Sequence, residues 1–209
     1  GKAAGLFFSY TILERKLQER GVNPTELITM PESYFLGADV FYEFQSNNDL
    51  FPFMNQKYKE PGQMIADYPQ TYQAYMSGQL PEYVRESLAE ILDGLGRSPL
   101  IVRSSSLLED NFDRSFAGKY DSFFLPNQGT PEENLQALTT AIAMTYASTL
   151  NPDALLYRRT KGLQDYDERM AILLQEVQGQ KYQQYFFPPL AGVGFSFSPL
   201  VWNPRLRRE

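Results

Sequence analysis

The sequence predicts a mixed α+β (α/β) fold, and three observations carry that expectation. Proline-started segments of helical length follow capping residues, at Thr130-Pro131-Glu132-Glu133 and at Asn151-Pro152. Short apolar runs suited to strands stand at Leu100–Arg103, Ser122–Leu125 and Met170–Val177. Turn residues and long helices alternate with these few strands, the pattern of layered helices and sheet. With 209 residues the chain is long enough to bury one large core or the cores of two small subdomains. Its 43% hydrophobic and 14% aromatic content excludes a disordered chain.

Taken in order, Ala3 to Arg20 reads as an amphipathic helix with Leu6, Tyr10, Leu13 and Leu17 on one face and Gly21 as its stop. A short strand is expected over Leu27–Met30, then a turn at Pro31-Glu32. A helix starting near Gly37 or Ala38 carries Phe41, Tyr42 and Phe44, and Ser46–Asp49 reads as a loop. A helical subregion over about 60–95 divides into Gln63–Met76 and Pro81–Leu92, with Pro81 suited to a first helical turn. The helix capped by Thr130 is expected to reach about Ser148, and the one begun by Asn151-Pro152 about Lys161. The last strand candidate, Ala191–Ser198, is joined to Met170–Val177 by the aromatic segment Lys181–Leu190.

Composition closes several chemistries. The chain holds no cysteine and no histidine, so thiol and imidazole catalysis, thiolate or imidazole metal sites and a phosphohistidine are excluded within these residues. A net charge of −6 argues against nucleic acid or an anionic membrane as partner, so a polyanionic ligand needs a local cluster of cations. No apolar run approaches the roughly 20 residues of a membrane span. The first residues lack the basic-then-apolar pattern of a signal peptide, and a cytoplasmic setting is expected. The opening Gly-Lys and the charged close read as those of a piece of a longer protein.

The richest segment is Leu100–Leu125, LIVRSSSLLEDNFDRSFAGKYDSFFL. By type alone Arg103 reads as a surface ion-pair partner. Two features turn it toward an anion: the preceding residues make a buried platform, and Ser104, Ser105 and Ser106 add hydroxyl donors. Ser115, Phe116, Ala117 and Gly118 form either a tight turn or a loop whose backbone N–H groups approach a ligand. Lys2 places an ammonium at the positive end of a helix, although a lysine there is ordinarily solvated. The strand MAILLQEV turns polar at Gln175-Glu176, so it is either a core strand with a solvated end or an edge offered to a base. Adjacent residues on an extended chain face opposite ways, so Glu109-Asp110 is expected to be solvated loop charge.

These motifs resemble the nucleotide-binding domain of the phosphoenolpyruvate synthase and pyruvate phosphate dikinase family. GKAAGL is similar to the family's glycine–lysine helix start, VRSSSLLEDNFDRSFAGKYDSFF follows its signature nearly end to end, and MAILLQEV and AGVGFSFSP occur in the expected order. Ala3-Ala4 replace the usual glycines, and the family's Pro-Pro-Gly-Phe is missing after Met30. Residues 50–95 and 181–190 match weakly. The resemblance implies an incomplete ATP-grasp-like nucleotide-binding fold with two subdomains, 1–209 forming part of a longer protein. It implies Lys2 and Arg103 on ATP phosphates, Ser115, Phe116, Ala117 and Gly118 covering the nucleotide, and Gln175, Glu176 and Val177 bordering adenine. The cofactor is then Mg-ATP, with magnesium ligands expected past the end of this chain. The partners are phosphohistidine and PEP/pyruvate domains of the same protein. The function is to position ATP for transfer to a histidine on another domain, the piece alone being inactive. Alternatives are a related dikinase acting on an antibiotic or a glucan, and a non-catalytic nucleotide-sensing module. The reading requires Lys2 and Arg103 to converge on one triphosphate.

Overall fold

The computed structural model describes residues 1–109 and 118–193. The chain divides into two compact units, Gly1–Val177 and Gln178–Glu209. In the first unit helix α1 (Lys2–Glu19) leads to the short helix α2 (Pro24–Leu27), strand β1 (Ser33–Leu36) and helix α3 (Ala38–Asn47). A 3-10 segment, Phe51–Tyr58, precedes helices α4 (Pro61–Met76) and α5 (Glu82–Leu95). Strands β2 (Leu100–Ser105) and β3 (Ser122–Leu125) follow, then α6 (Pro131–Ala147), α7 (Pro152–Thr160) and strand β4 (Ala171–Glu176).

The four strands form one antiparallel sheet in the order β1-β4-β2-β3. β2 lies inside it, pairing Val102 with Leu174 on one side and with Phe123 on the other. Because strand residues alternate faces, this register sorts the sheet into two surfaces. Leu36, Leu100, Val102, Ile172 and Leu174 are buried in the core cluster, with Tyr34, Phe123 and Leu125 packed against it. Ser33, Phe35, Ile101, Arg103, Ser105, Ser122, Phe124, Ala171, Leu173 and Gln175 carry the opposite parity; of these Phe35, Ser122 and Phe124 are exposed, whereas Ser105 and Leu173 are buried.

Helices α5 and α6 supply the core through the four-residue spacing of a helix face, Val84, Leu88 and Leu92 from one and Leu138, Ile142 and Tyr146 from the other. Tyr146 packs on Phe41 and Phe44 with ring centroids 4.9 and 5.4 Å away, and Phe44 meets Tyr75 at 6.0 Å. This aromatic centre sets a backbone requirement at Gly78. A Cβ there would lie 2.7 Å from the Phe44 ring, so only glycine lets the α4–α5 connection pass.

Thr130 and Glu133 form the expected capping box at the start of α6. Four expectations are corrected. Leu27–Met30 is not a strand: Asn23 caps α2 from Pro24, the same cap-then-proline start seen at α7, and the strand lies later, where Ser33–Leu36 pairs with the apolar β4. α3 runs through Asn47, so the loop begins later than Ser46, with Asp49 at φ 54° just beyond. Pro81 is the N-cap of α5, with extended ψ of 145°, rather than its first helical residue. The aromatic segment forms a hairpin of the second unit, β5 (Gln180–Tyr182) with β6 (Tyr185–Phe187), where Tyr182 stacks on Phe187 at 4.5 Å. Most of the expected strand Ala191–Ser198 lies outside the described residues. Among the described residues no helix is long and apolar enough to cross a membrane.

Candidate functional site: the end of strand β2

The end of β2 is where the sequence-predicted cations meet the sheet. Helix α1 begins against it. The Ala3 N–H, one of the amides that a helix start leaves without an intrahelical partner, donates to Ser105 Oγ at 3.0 Å. A Cβ on Gly1 would lie 2.9 Å from Ser105 O, Ser105 Oγ and Ser106 O, so glycine permits this contact. Lys2 then turns its ammonium back to Ser104, donating to the carbonyl at 3.1 Å and to the hydroxyl at 3.3 Å, and to Glu109 in a close ion pair.

Glu109 corrects the expectation of a solvated loop charge. Its side chain is 2% exposed. It is held by Lys2, by the Ser104 hydroxyl at 2.9 Å and by the Ser106 N–H at 3.1 Å. The physical reason is that three donors surround it, and they supply the hydrogen-bond partners that a carboxylate buried away from water requires. Ser106 extends the chain of bonds. Its hydroxyl accepts from the Leu108 N–H at 2.9 Å and donates to one oxygen of Glu168 at 2.6 Å. The other Glu168 oxygen accepts the Tyr120 hydroxyl and lies 3.9 Å from the Arg158 guanidinium, which donates to Thr149 O at 2.7 Å. Glu168 and Arg158 are both buried. Burial, followed by the neighbouring Glu168 charge, pushes the Tyr120 phenol far above its ordinary pKa, so it keeps the proton that it donates to Glu168.

Arg103 leaves the strand toward the open face. Its guanidinium donates to the Gln175 side-chain oxygen at 3.2 Å, and the Gln175 amide donates to Ser33 Oγ at 3.1 Å. Phe35 and Phe124 stand exposed on the same face. The structure therefore brings Arg103 and Gln175 together, and ties Lys2 to Ser104, the residue next to Arg103. Lys2 and Arg103 sit at the same end of β2 on different partners, with no shared one among the described residues.

The other predicted residues are distributed unevenly. Gly118 has φ 75°, a left-handed backbone for which glycine is suited, while Ser115, Phe116 and Ala117 lie outside the described residues. The amides of Glu176 and Val177 donate to Glu32 O and Pro99 O, each at 2.8 Å, so those two N–H groups are already engaged. Ser106 was expected to offer its hydroxyl to an anion and instead gives it to Glu168, while Glu168, Arg158 and Tyr120 were not singled out from sequence and Glu109 was read as solvated. The ion pair of Lys2 with Glu109 joins residues 107 apart, and no spacing rule reaches that far. Among the described residues no group of three or more Asp, Glu, His or Cys could hold a metal ion.

A buried polar network behind a strand end that carries a partly exposed arginine can fix cations for an anion. Comparison with known proteins defines the class. Residues 1–204 match the family described as pyruvate phosphate dikinase, AMP/ATP-binding domain, and the chain belongs to that family. A curated relative is the rifampicin phosphotransferase of Streptomyces sviceus, 33% identical over 107 residues, which are 51% of this chain. The matched part spans 11% of that relative's length.

Proposed function

We propose that this chain is the ATP-binding region of a phosphoenolpyruvate synthase or pyruvate phosphate dikinase-like phosphotransferase, acting in the cytoplasm. The family match over residues 1–204 carries the reading. In it, the open sheet face around Arg103 receives ATP, Arg103 and Lys2 contact its phosphates, and the loop ending at Gly118 covers it. Gln175 borders the nucleotide with its side chain, as its placement against Arg103 supports. An incomplete ATP-grasp-like fold, with two subdomains, belongs to the same proposal.

The chemistry assigned to these residues is positioning and charge neutralisation. Phosphoryl transfer asks little covalent work of the protein, and arginine offers a planar pair of donors to phosphate oxygens. The acceptor is a histidine on a separate domain of the longer protein, which also carries the PEP or pyruvate site. Magnesium arrives with ATP, and its protein ligands are assigned to residues outside those described. The rifampicin phosphotransferase relative favours a second reading, in which the final acceptor is an antibiotic rather than pyruvate.

Isothermal titration of the full-length protein with Mg-ATP tests the proposal. Saturable binding with one site per chain is expected. Failure of the folded protein to bind any adenine nucleotide would remove it. Assays with pyruvate and with rifampicin then separate the two acceptors.

A further inference from the structure

We propose that Glu109 is a positioning residue of this nucleotide site: its buried carboxylate keeps the Lys2 ammonium at the end of β2 while a phosphate oxygen takes the place of Ser104. The inference rests on the nucleotide reading above and assigns a job to a residue that the reading leaves out.

An ammonium has three N–H donors, and Lys2 spends them on Ser104 O, Ser104 Oγ and Glu109. A phosphate oxygen therefore gains a hydrogen bond from Lys2 only by displacing one of these acceptors. The three are unequal. The Ser104 acceptors are neutral, and its hydroxyl keeps a partner after displacement because it also donates to Glu109 at 2.9 Å. Removing Lys2 from Glu109 would instead leave a carboxylate that is 2% exposed with, among the described residues, only a hydroxyl and an amide donating to it. An uncompensated buried charge costs far more than a lost neutral hydrogen bond. The exchange consequently falls on Ser104, and the ion pair persists as the pivot.

The pivot is itself fixed. The Ser106 N–H holds the second oxygen of Glu109, and the Ser106 hydroxyl is held by Glu168. Glu168 is anchored in turn by Tyr120 and faces Arg158. The carboxylate cannot follow a moving lysine, so the lysine swings about it. The Lys2 side chain as a whole is 26% exposed, so it is not sealed into the core with its partner carboxylate.

The test is Mg-ATP titration of the full-length protein and its variants, with circular dichroism to establish folding. Glu109→Gln keeps the shape and removes the charge, and is expected to weaken binding roughly tenfold, the equivalent of about 1.4 kcal/mol. Lys2→Met is expected to weaken it comparably. The double variant is expected to bind no worse than Lys2→Met, because Glu109 acts through that lysine. Affinity unchanged in Glu109→Gln, or losses that add in the double variant, would make the pair a tie of the fold alone and overturn the proposal. Tighter binding in Glu109→Gln would overturn it too, by making Glu109 a competitor of the phosphate. Should Glu109→Gln fail to fold, Glu109→Asp retains the charge but withdraws it. The same loss is expected, again absent on the Lys2→Met background, and a wild-type affinity would overturn the proposal. A wild-type protein that does not bind Mg-ATP defeats the nucleotide reading as well, a result distinct from all of these.

Discussion

Arg103 gives one donor to Gln175, and a guanidinium carries five N–H donors in all. Arg103→Ala is therefore expected to lower Mg-ATP affinity by about 1.5–3 kcal/mol, read by titration, while the thermal midpoint stays near wild type. Unchanged affinity would return Arg103 to the role of an ordinary surface cation. Glu168 makes the contrasting case. Glu168→Ala strands the buried Arg158 and removes the acceptor of Ser106 and Tyr120, so a loss of about 3–5 kcal/mol is expected in urea unfolding. A small loss would mean that water reaches Arg158 in its place. Arg103 was legible in the sequence because a short β-branched run announces a buried strand and its parity fixes where the next side chain points. Glu109 and Glu168 were not. Their partners come from α1, β2, the residues before β3 and α7, and no local pattern marks such a meeting.

At the scale of elements, capping chemistry was the most readable signal, since it is written within four residues. Thr130 accepts from the Glu133 N–H at 3.3 Å while the Glu133 carboxylate accepts from the Thr130 N–H at 2.8 Å. Thr130→Ala is expected to destabilise by about 1 kcal/mol in thermal or urea unfolding. Glu133 adds a pH dependence. The Thr130 backbone N–H, and then its hydroxyl, hold this carboxyl below the ordinary value of 4.5. A carboxyl lowered in the folded state stabilises fully above its unfolded pKa, and that stabilisation is lost as pH falls through the folded pKa. The gap between wild type and Glu133→Ala should thus narrow on acidification below about pH 4.5, and a constant gap would remove the carboxylate from the account. The same capping logic, applied to Asn23-Pro24, would have replaced the expected strand at Leu27–Met30 with α2. The β5–β6 hairpin escaped for another reason. Its turn places Gln183 at φ 55°, and no glycine, asparagine or proline at that position signals it.

Across the first unit, one sheet surface is closed by the helices of the core, while the other carries Arg103 beside the buried Leu173 and, farther out, the exposed Phe35 and Phe124. Its mixed α and β character was visible from alternation of elements, whereas the order β1-β4-β2-β3 depends on pairings such as Ser33 with Gln175 that composition does not encode. Helix α1 shows what that arrangement entails. It has 18 residues, none of them buried, with Phe7 and Phe8 exposed, and its first turn is bonded to Ser104, Ser105 and Glu109. A helix fastened by polar bonds at its beginning and lacking a buried stripe unravels one turn at a time from its far end. In deuterated water its amide protons should accordingly wash out in a gradient, fastest toward Glu19 and slowest near Gly5. Peptide-resolved mass spectrometry reads that gradient, and even retention along the whole helix would reveal that a partner surface shelters those two rings.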